Sequence, residues 1–177
     1  MKNTTVMADF NAAFEKTMLN EGGFKLVDVA GDSGGRTYAG IAENYHPDWE
    51  GWQIIDRGDM DNLMLTQLVK DFYKTKFWDK LKGDEVEKQQ VAESVFDFGV
   101  NAGIRTSVKL SQKVVGVLPD GVVGPKTLKA YNDAEEEEFV LKFALAKIAR
   151  YAAIVNRNRS QSKFLLGWIN RTLKSIE

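Results

Sequence analysis

The chain has 177 residues, 44% of them apolar, and a formal charge of −1. That length suits one well-packed domain, or a domain with a closely docked lobe, and the near-neutral charge gives no global attraction to nucleic acid or an anionic membrane. With no cysteine and a single histidine, His46, the sequence excludes disulfides, thiol catalysis and a His/Cys metal site, and no cofactor is expected.

Residues Met1 to Asp9 carry one lysine and no long apolar run, so they do not read as a secretory signal, and no later stretch approaches a membrane span. The expectation is a soluble protein made in the cytoplasm. From about Val6 to Asn20, Phe10, Phe14 and Met18 recur at the spacing of one helix face, with Asp9 or Thr4-Thr5 available as caps. Gly22 and Gly23 supply the stop. Glu21 then stands at a helix C-terminus, where the partial negative charge of the dipole disfavours its anion and desolvation by Phe24 and the apolar face would add to the effect; an ordinary surface glutamate near a helix end fits the same pattern. A raised pKa is what a general acid needs near neutral pH.

Residues 24–42 change character. Phe24 to Val29 is compatible with a strand, Gly31-Asp32-Ser33-Gly34-Gly35 reads as a turn, and Thr37 to Ile41 reads as a second short strand, giving a small β-hairpin-like insertion. Residues 42–59 are loop-rich, with a Trp49-x-x-Trp52 pair. Helices are expected over about Asp61–Leu81 (through Leu65, Leu68, Val69, Phe72, Tyr73 and Phe77), Glu85–Val100 and Arg105–Val115. Asp120-Gly121 is a turn signal, and Gly124-Pro125 puts a proline at the first position of another helix. The acidic run Glu135–Glu138 opens the longest helix, whose basic residues come last, and a final helix runs over about Gln161–Ile176. The fold class is mainly α, about six to seven helices around one small β insertion.

The motif Glu21-Gly22-Gly23-Phe24, with Asp32-x-Gly34-Gly35-x-Thr37 and Gly40-Ile41 behind it, resembles the N-acetylmuramidases of glycoside hydrolase family 108. The second half is similar to the predicted peptidoglycan-binding region usually attached to them, through Phe96-Asp97, Asn101-Ala102-Gly103, Leu110-x-Gln112, Asp120 to Thr127 and Phe164-x-x-Gly167-Trp168-Ile169-Asn170-Arg171. Leu26 to Ala30 stands where an Asn-Asp-Pro-like segment is common. The resemblance implies one lysozyme-like domain over 1–177, with the muramidase motifs in about 6–92 and the peptidoglycan-binding-like helices in about 93–175. Its members include phage endolysins and bacterial secretion activators.

What the resemblance implies chemically is hydrolysis of the β-1,4 bond between N-acetylmuramic acid and N-acetylglucosamine, with Glu21 as general acid. Asp32 is a candidate to stabilise the oxocarbenium-like state or position a water, and Thr37 to hold that water; turn and strand chemistry explain the same two residues without catalysis. Separation of the two carboxyls by about 5 Å permits a retaining mechanism, and roughly 6.5 to 9.5 Å an inverting one. Tyr38 and Asn101 are candidates for sugar binding, Asn101 serving equally as a helix cap. Trp49, Trp52, Trp78 and Trp168 offer stacking faces or core, and Trp168 is read as core. The segment Asp120 to Thr127 is expected to be structural.

The competing classes are a non-catalytic peptidoglycan-binding secretion accessory protein and a lytic transglycosylase. The expected partner is the peptidoglycan glycan strand, with a holin or export machinery for delivery to the cell wall, and neither nucleic acid nor stable membrane insertion is expected.

Overall fold

The computed structural model describes residues 6–20, 22–28 and 34–176. The chain divides into two compact units, one formed by Met1–Ala13 with Phe77–Glu177 and one by Phe14–Lys76. Among the described residues, no helix is long and apolar enough to cross a membrane.

Helix α1 (Phe10–Asn20) starts one residue after Asp9, whose carboxylate accepts the Asn11 N–H at 2.9 Å. That bond satisfies a donor that the first helical turn leaves open, which is why the helix begins here and not at Val6. The alternative cap Thr4-Thr5 lies outside the described residues. The Phe14–Lys76 unit continues with three two-residue strands, β1 (Leu26–Val27), β2 (Thr37–Tyr38) and β3 (Ile41–Ala42), in an antiparallel sheet of order β1-β2-β3. The hairpin expected from the sequence therefore gains a third strand, because the chain reverses at Ala39-Gly40, both at positive φ. A left-handed alanine is strained, and the turn is held by the buried Tyr73 hydroxyl donating to the Ala39 carbonyl at 2.8 Å.

Helix α2 (Gly51–Asp56) is short, and α3 (Leu63–Tyr73) is capped by the Asn62 side chain, which accepts the Met64 N–H. A π-helical turn, Lys74–Trp78, links α3 to the single turn α4 (Asp79–Leu81). Along this run the buried residues are Leu65, Val69, Tyr73, Trp78 and Leu81. Uninterrupted α spacing would carry Phe77 inward after Tyr73; the extra residue of the π turn brings the larger Trp78 to that position and leaves Phe77 half-buried.

In the other unit, α5 (Gln89–Ala102), α6 (Ile104–Val114), α7 (Pro125–Asp133), α8 (Glu136–Arg157) and α9 (Ser162–Lys174) follow the expected order. Helix α8 packs on α5, α6 and α9. Its N-cap Glu135 accepts the Glu137 and Glu138 N–H groups, and the next residue, Glu136, caps α5 by accepting the Gln90 N–H at 2.9 Å. The core is aromatic: Phe10, Trp78 and Phe96 meet edge to face, and Phe98 meets Phe143, which stacks on Phe139. Burying each ring contributes roughly 1.5 to 3 kcal/mol before the edge-to-face term.

Candidate active site

Helix α1 delivers the chain to the candidate site and stops there. Gly22 and Gly23 both take positive φ, and the Gly23 N–H donates to the Met18 carbonyl at 2.9 Å, the closing bond of a glycine-terminated helix. Glu21 follows Asn20 in sequence and itself lies outside the described residues, as does Asp32. Beside the glycine pair is an open apolar groove of about 610 Å³. Phe14, Met18, Leu19 and Phe24 form its walls, and Glu15 and Lys25 bring charge to its edge. Leu19 and Phe24 are 83% and 41% exposed, so large apolar surface faces solvent directly beside the motif.

On the neighbouring sheet, Thr37 and Tyr38 alternate between faces, as successive strand residues must. Thr37 is half-buried and opposes Val27 on β1 and Ala42 on β3. Tyr38 is buried, stacked on Trp49 at 6.3 Å between ring centres and tilted against Phe24 at 6.4 Å. Burial first, and the charge of Asp61 second, push the Tyr38 hydroxyl above the usual tyrosine pKa, so it stays protonated near neutrality. Trp49 packs directly over Gly51, where a Cβ would come within 2.2 Å of its ring, and its buried indole N–H has no acceptor among the described residues.

A charged fork fixes the sheet. The Arg36 guanidinium donates to both oxygens of Glu43, at 2.8 and 2.6 Å, and to Asp56 at 2.8 Å, while lying 5.5 Å from the Trp52 ring centre. Glu43 immediately follows β3 and Asp56 ends α2, so one side chain ties strand to helix. Hydrogen bonding from Arg36 holds the Glu43 carboxyl below its ordinary pKa. Sequence reasoning missed this fork, whose partners stand 7 and 20 residues from Arg36 with no local pattern to join them.

Asn101 is exposed in the last turn of α5, before Gly103 at positive φ, and belongs to the Met1–Ala13 with Phe77–Glu177 unit. Thr37 and Tyr38 belong to the Phe14–Lys76 unit. Trp52 and Trp78 are core residues, and half-buried Trp168 stacks on buried Tyr151 at 5.1 Å. The Asp120 to Thr127 segment is organised by buried Gln112. Its amide donates to Asp120, the Val122 carbonyl and Thr127, and accepts the Gly121 N–H. Every one of these groups has a structural use, in keeping with the expectation for this segment.

Residues 14–103 match the family described as Glycosyl hydrolase 108, half of the chain. The chain belongs to glycosyl hydrolase family 108. Residues 106–173 match the family described as Predicted Peptidoglycan domain. Among solved structures, SagA of Brucella abortus is similar at 30% identity with a TM-score of 0.71, the alignment covering 94% of this chain and 91% of that one. A comparison with curated proteins finds no match. Together the family 108 and peptidoglycan-domain matches support a peptidoglycan-related function on a mainly helical, lysozyme-like fold with a small three-stranded sheet.

Proposed function

We propose that this family 108 protein is an N-acetylmuramidase that hydrolyses the β-1,4 bond between N-acetylmuramic acid and N-acetylglucosamine in peptidoglycan, with Glu21 as general acid. The family match over residues 14–103 carries this reading, because that span contains Glu21-Gly22-Gly23-Phe24 and the strand of Thr37 and Tyr38. It is supported by the sequence position of the motif at the end of α1, where helix-end carbonyls disfavour an anion.

In this mechanism Glu21 protonates the leaving glycosidic oxygen as positive charge develops on the sugar carbon. Asp32 stabilises that charge, Thr37 holds the incoming water, Tyr38 backs the aromatic wall, and Asn101 meets an acetamido group. Sugar rings present apolar faces that pack on exposed aromatics such as Phe24. The substrate is the glycan strand and the place of action is the cell wall, reached through a holin or an export machinery.

The test is release of new reducing ends from purified peptidoglycan. Glu21→Gln keeps shape and removes the proton, so activity is expected to fall by roughly 10² to 10⁴ with an unchanged melting temperature. Full activity in that variant would move the acid elsewhere. Products ending in anhydro-sugars would reassign the protein as a lytic transglycosylase, and sedimentation with peptidoglycan without any cleavage would make it a wall-binding accessory.

A further inference from the structure

Helices α6 and α8 pack together and leave between them an open groove of about 730 Å³, which none of the candidate catalytic residues lines. Its apolar lining is Leu110, Val114, Pro119 and the small side chains Ala146, Ala149 and Ala153. Its rim is basic: Lys109 and Lys113 stand one turn apart on α6, and Arg150 and Arg157 two turns apart on α8. None of these four cations makes an ion pair among the described residues, whereas Lys142, farther back on α8, pairs with Glu138 at 2.6 Å.

The lack of neutralising groups is written into the sequence. Helix α6 contains no Asp or Glu, and α8 contains none from Phe139 to Arg157. Asp120, next to Pro119, is engaged by the Gln112 amide and the Val122 N–H. A chain of net charge −1 therefore concentrates four cations around one apolar trough, none of them ion-paired among the described residues, and Arg157 is steadied by donating to the Ala153 carbonyl at 3.3 Å. Such a surface fits a ligand with both repeated negative charge and small apolar groups. A phosphodiester polymer would use the rim and leave the alanine lining unused.

We propose that this groove binds the peptide stem of a peptidoglycan strand, the methyl groups of its alanines lying on Ala149 and Ala153 and its free carboxylates on Lys109, Lys113, Arg150 and Arg157. The assignment rests on the peptidoglycan reading above and gives the 106–173 region a ligand distinct from the sugar chain. Holding the stem would keep the enzyme on its polymer between cleavage events.

The experiment uses the full chain carrying Glu21→Gln and a synthetic sugar-free stem tetrapeptide, titrated at low salt and followed by backbone amide shifts. Saturable shifts confined to α6 and α8 are expected, with affinity falling as salt is raised. Adding Lys113→Glu with Arg150→Glu should weaken binding about tenfold, whereas Lys142→Glu should leave it unchanged. If the reversed pair does not fold, Lys113→Gln with Arg150→Gln carries the same test. Absence of tetrapeptide binding, equal binding by the doubly substituted protein, or binding of a poly(glycerol phosphate) in place of the tetrapeptide would each overturn the proposal. Charge-dependent tetrapeptide binding, with no release of reducing ends from peptidoglycan by the unsubstituted chain that keeps Glu21, would sink the muramidase reading and leave this one standing; release of ends by that chain without tetrapeptide binding would do the reverse.

Discussion

The Phe14–Lys76 unit and the unit of Met1–Ala13 with Phe77–Glu177 reach order in opposite ways. The first uses two-residue strands, a left-handed alanine and one arginine fork, and it leaves Phe24, Leu26 and Val27 between 41% and 47% exposed. The second interlocks aromatic rings between long helices, with Trp78, Phe96, Tyr131 and Phe143 at 0% exposure. Most of the candidate chemistry sits in the first, where loops present side chains and local yielding is cheap; the second supplies rigidity.

Two glycines break or sharpen that contrast. A Cβ on Gly83 would come within 2.1 Å of the Trp78 ring, and one on Gly51 within 2.2 Å of the far end of the Trp49 ring. The clashes are equal, but the surroundings are not: Trp78 is fully buried with Phe10 and Phe96 against it, while Trp49 is half-buried. Gly83→Ala should therefore cost about 3 kcal/mol in urea unfolding, and Gly51→Ala about 1 kcal/mol as Trp49 swings away from Tyr38. Equal costs would mean that the two units are equally stiff.

The same contrast decides what could be read from sequence. The helices were legible because Phe139, Phe143 and Tyr151, or Val91 and Val95, repeat at helical spacing over long stretches. The glycine stop after α1 and the proline start of α7 were legible because each residue has one conformational use. Strand β3 was not, since two residues carry no period and the Ala39 turn depends on a hydroxyl 34 residues away. The π turn at Lys74–Trp78 depends likewise on which aromatic the core accepts. At the candidate site, the Glu21 and Asp32 motifs were legible as motifs, while the Arg36 fork exists only after folding. The four cations of the α6–α8 groove stand on two helices that only packing brings together, and among the described residues no carboxylate pairs with them.

Alkaline pH probes the helical unit. Tyr131 is buried and bonded to Ser111 at 2.6 Å, and burial pushes its pKa from 10.0 up to about 12. Between those values the unfolded chain loses the proton and the folded chain keeps it, so stability is full below pH 10 and falls as pH rises toward 12. The loss amounts to roughly 2 to 3 kcal/mol, for a shift of about two units. Tyr131→Phe should remove most of this alkaline slope, at a constant cost of about 1 kcal/mol from the lost hydrogen bond. Unfolding midpoints against pH read both effects.

Acid pH probes the other unit, and here the expected effect is smaller. His46 packs edge-on against Phe72 at 4.7 Å, and burial, with a lesser contribution from Lys76, lowers its pKa. As pH falls through the ordinary histidine range the unfolded chain takes up a proton that the folded unit resists, so stability present above that range declines below it. The His46 carbonyl also accepts the Trp52 indole N–H at 2.8 Å, which places a reporter beside the titrating ring. The Trp49 and Trp52 indole signals should therefore broaden on mild acidification before those of Trp78 and Trp168, and His46→Gln should abolish that lead. If all four indoles respond together with His46 in place, the two units unfold as one cooperative body, and the contrast between them is one of local stiffness alone.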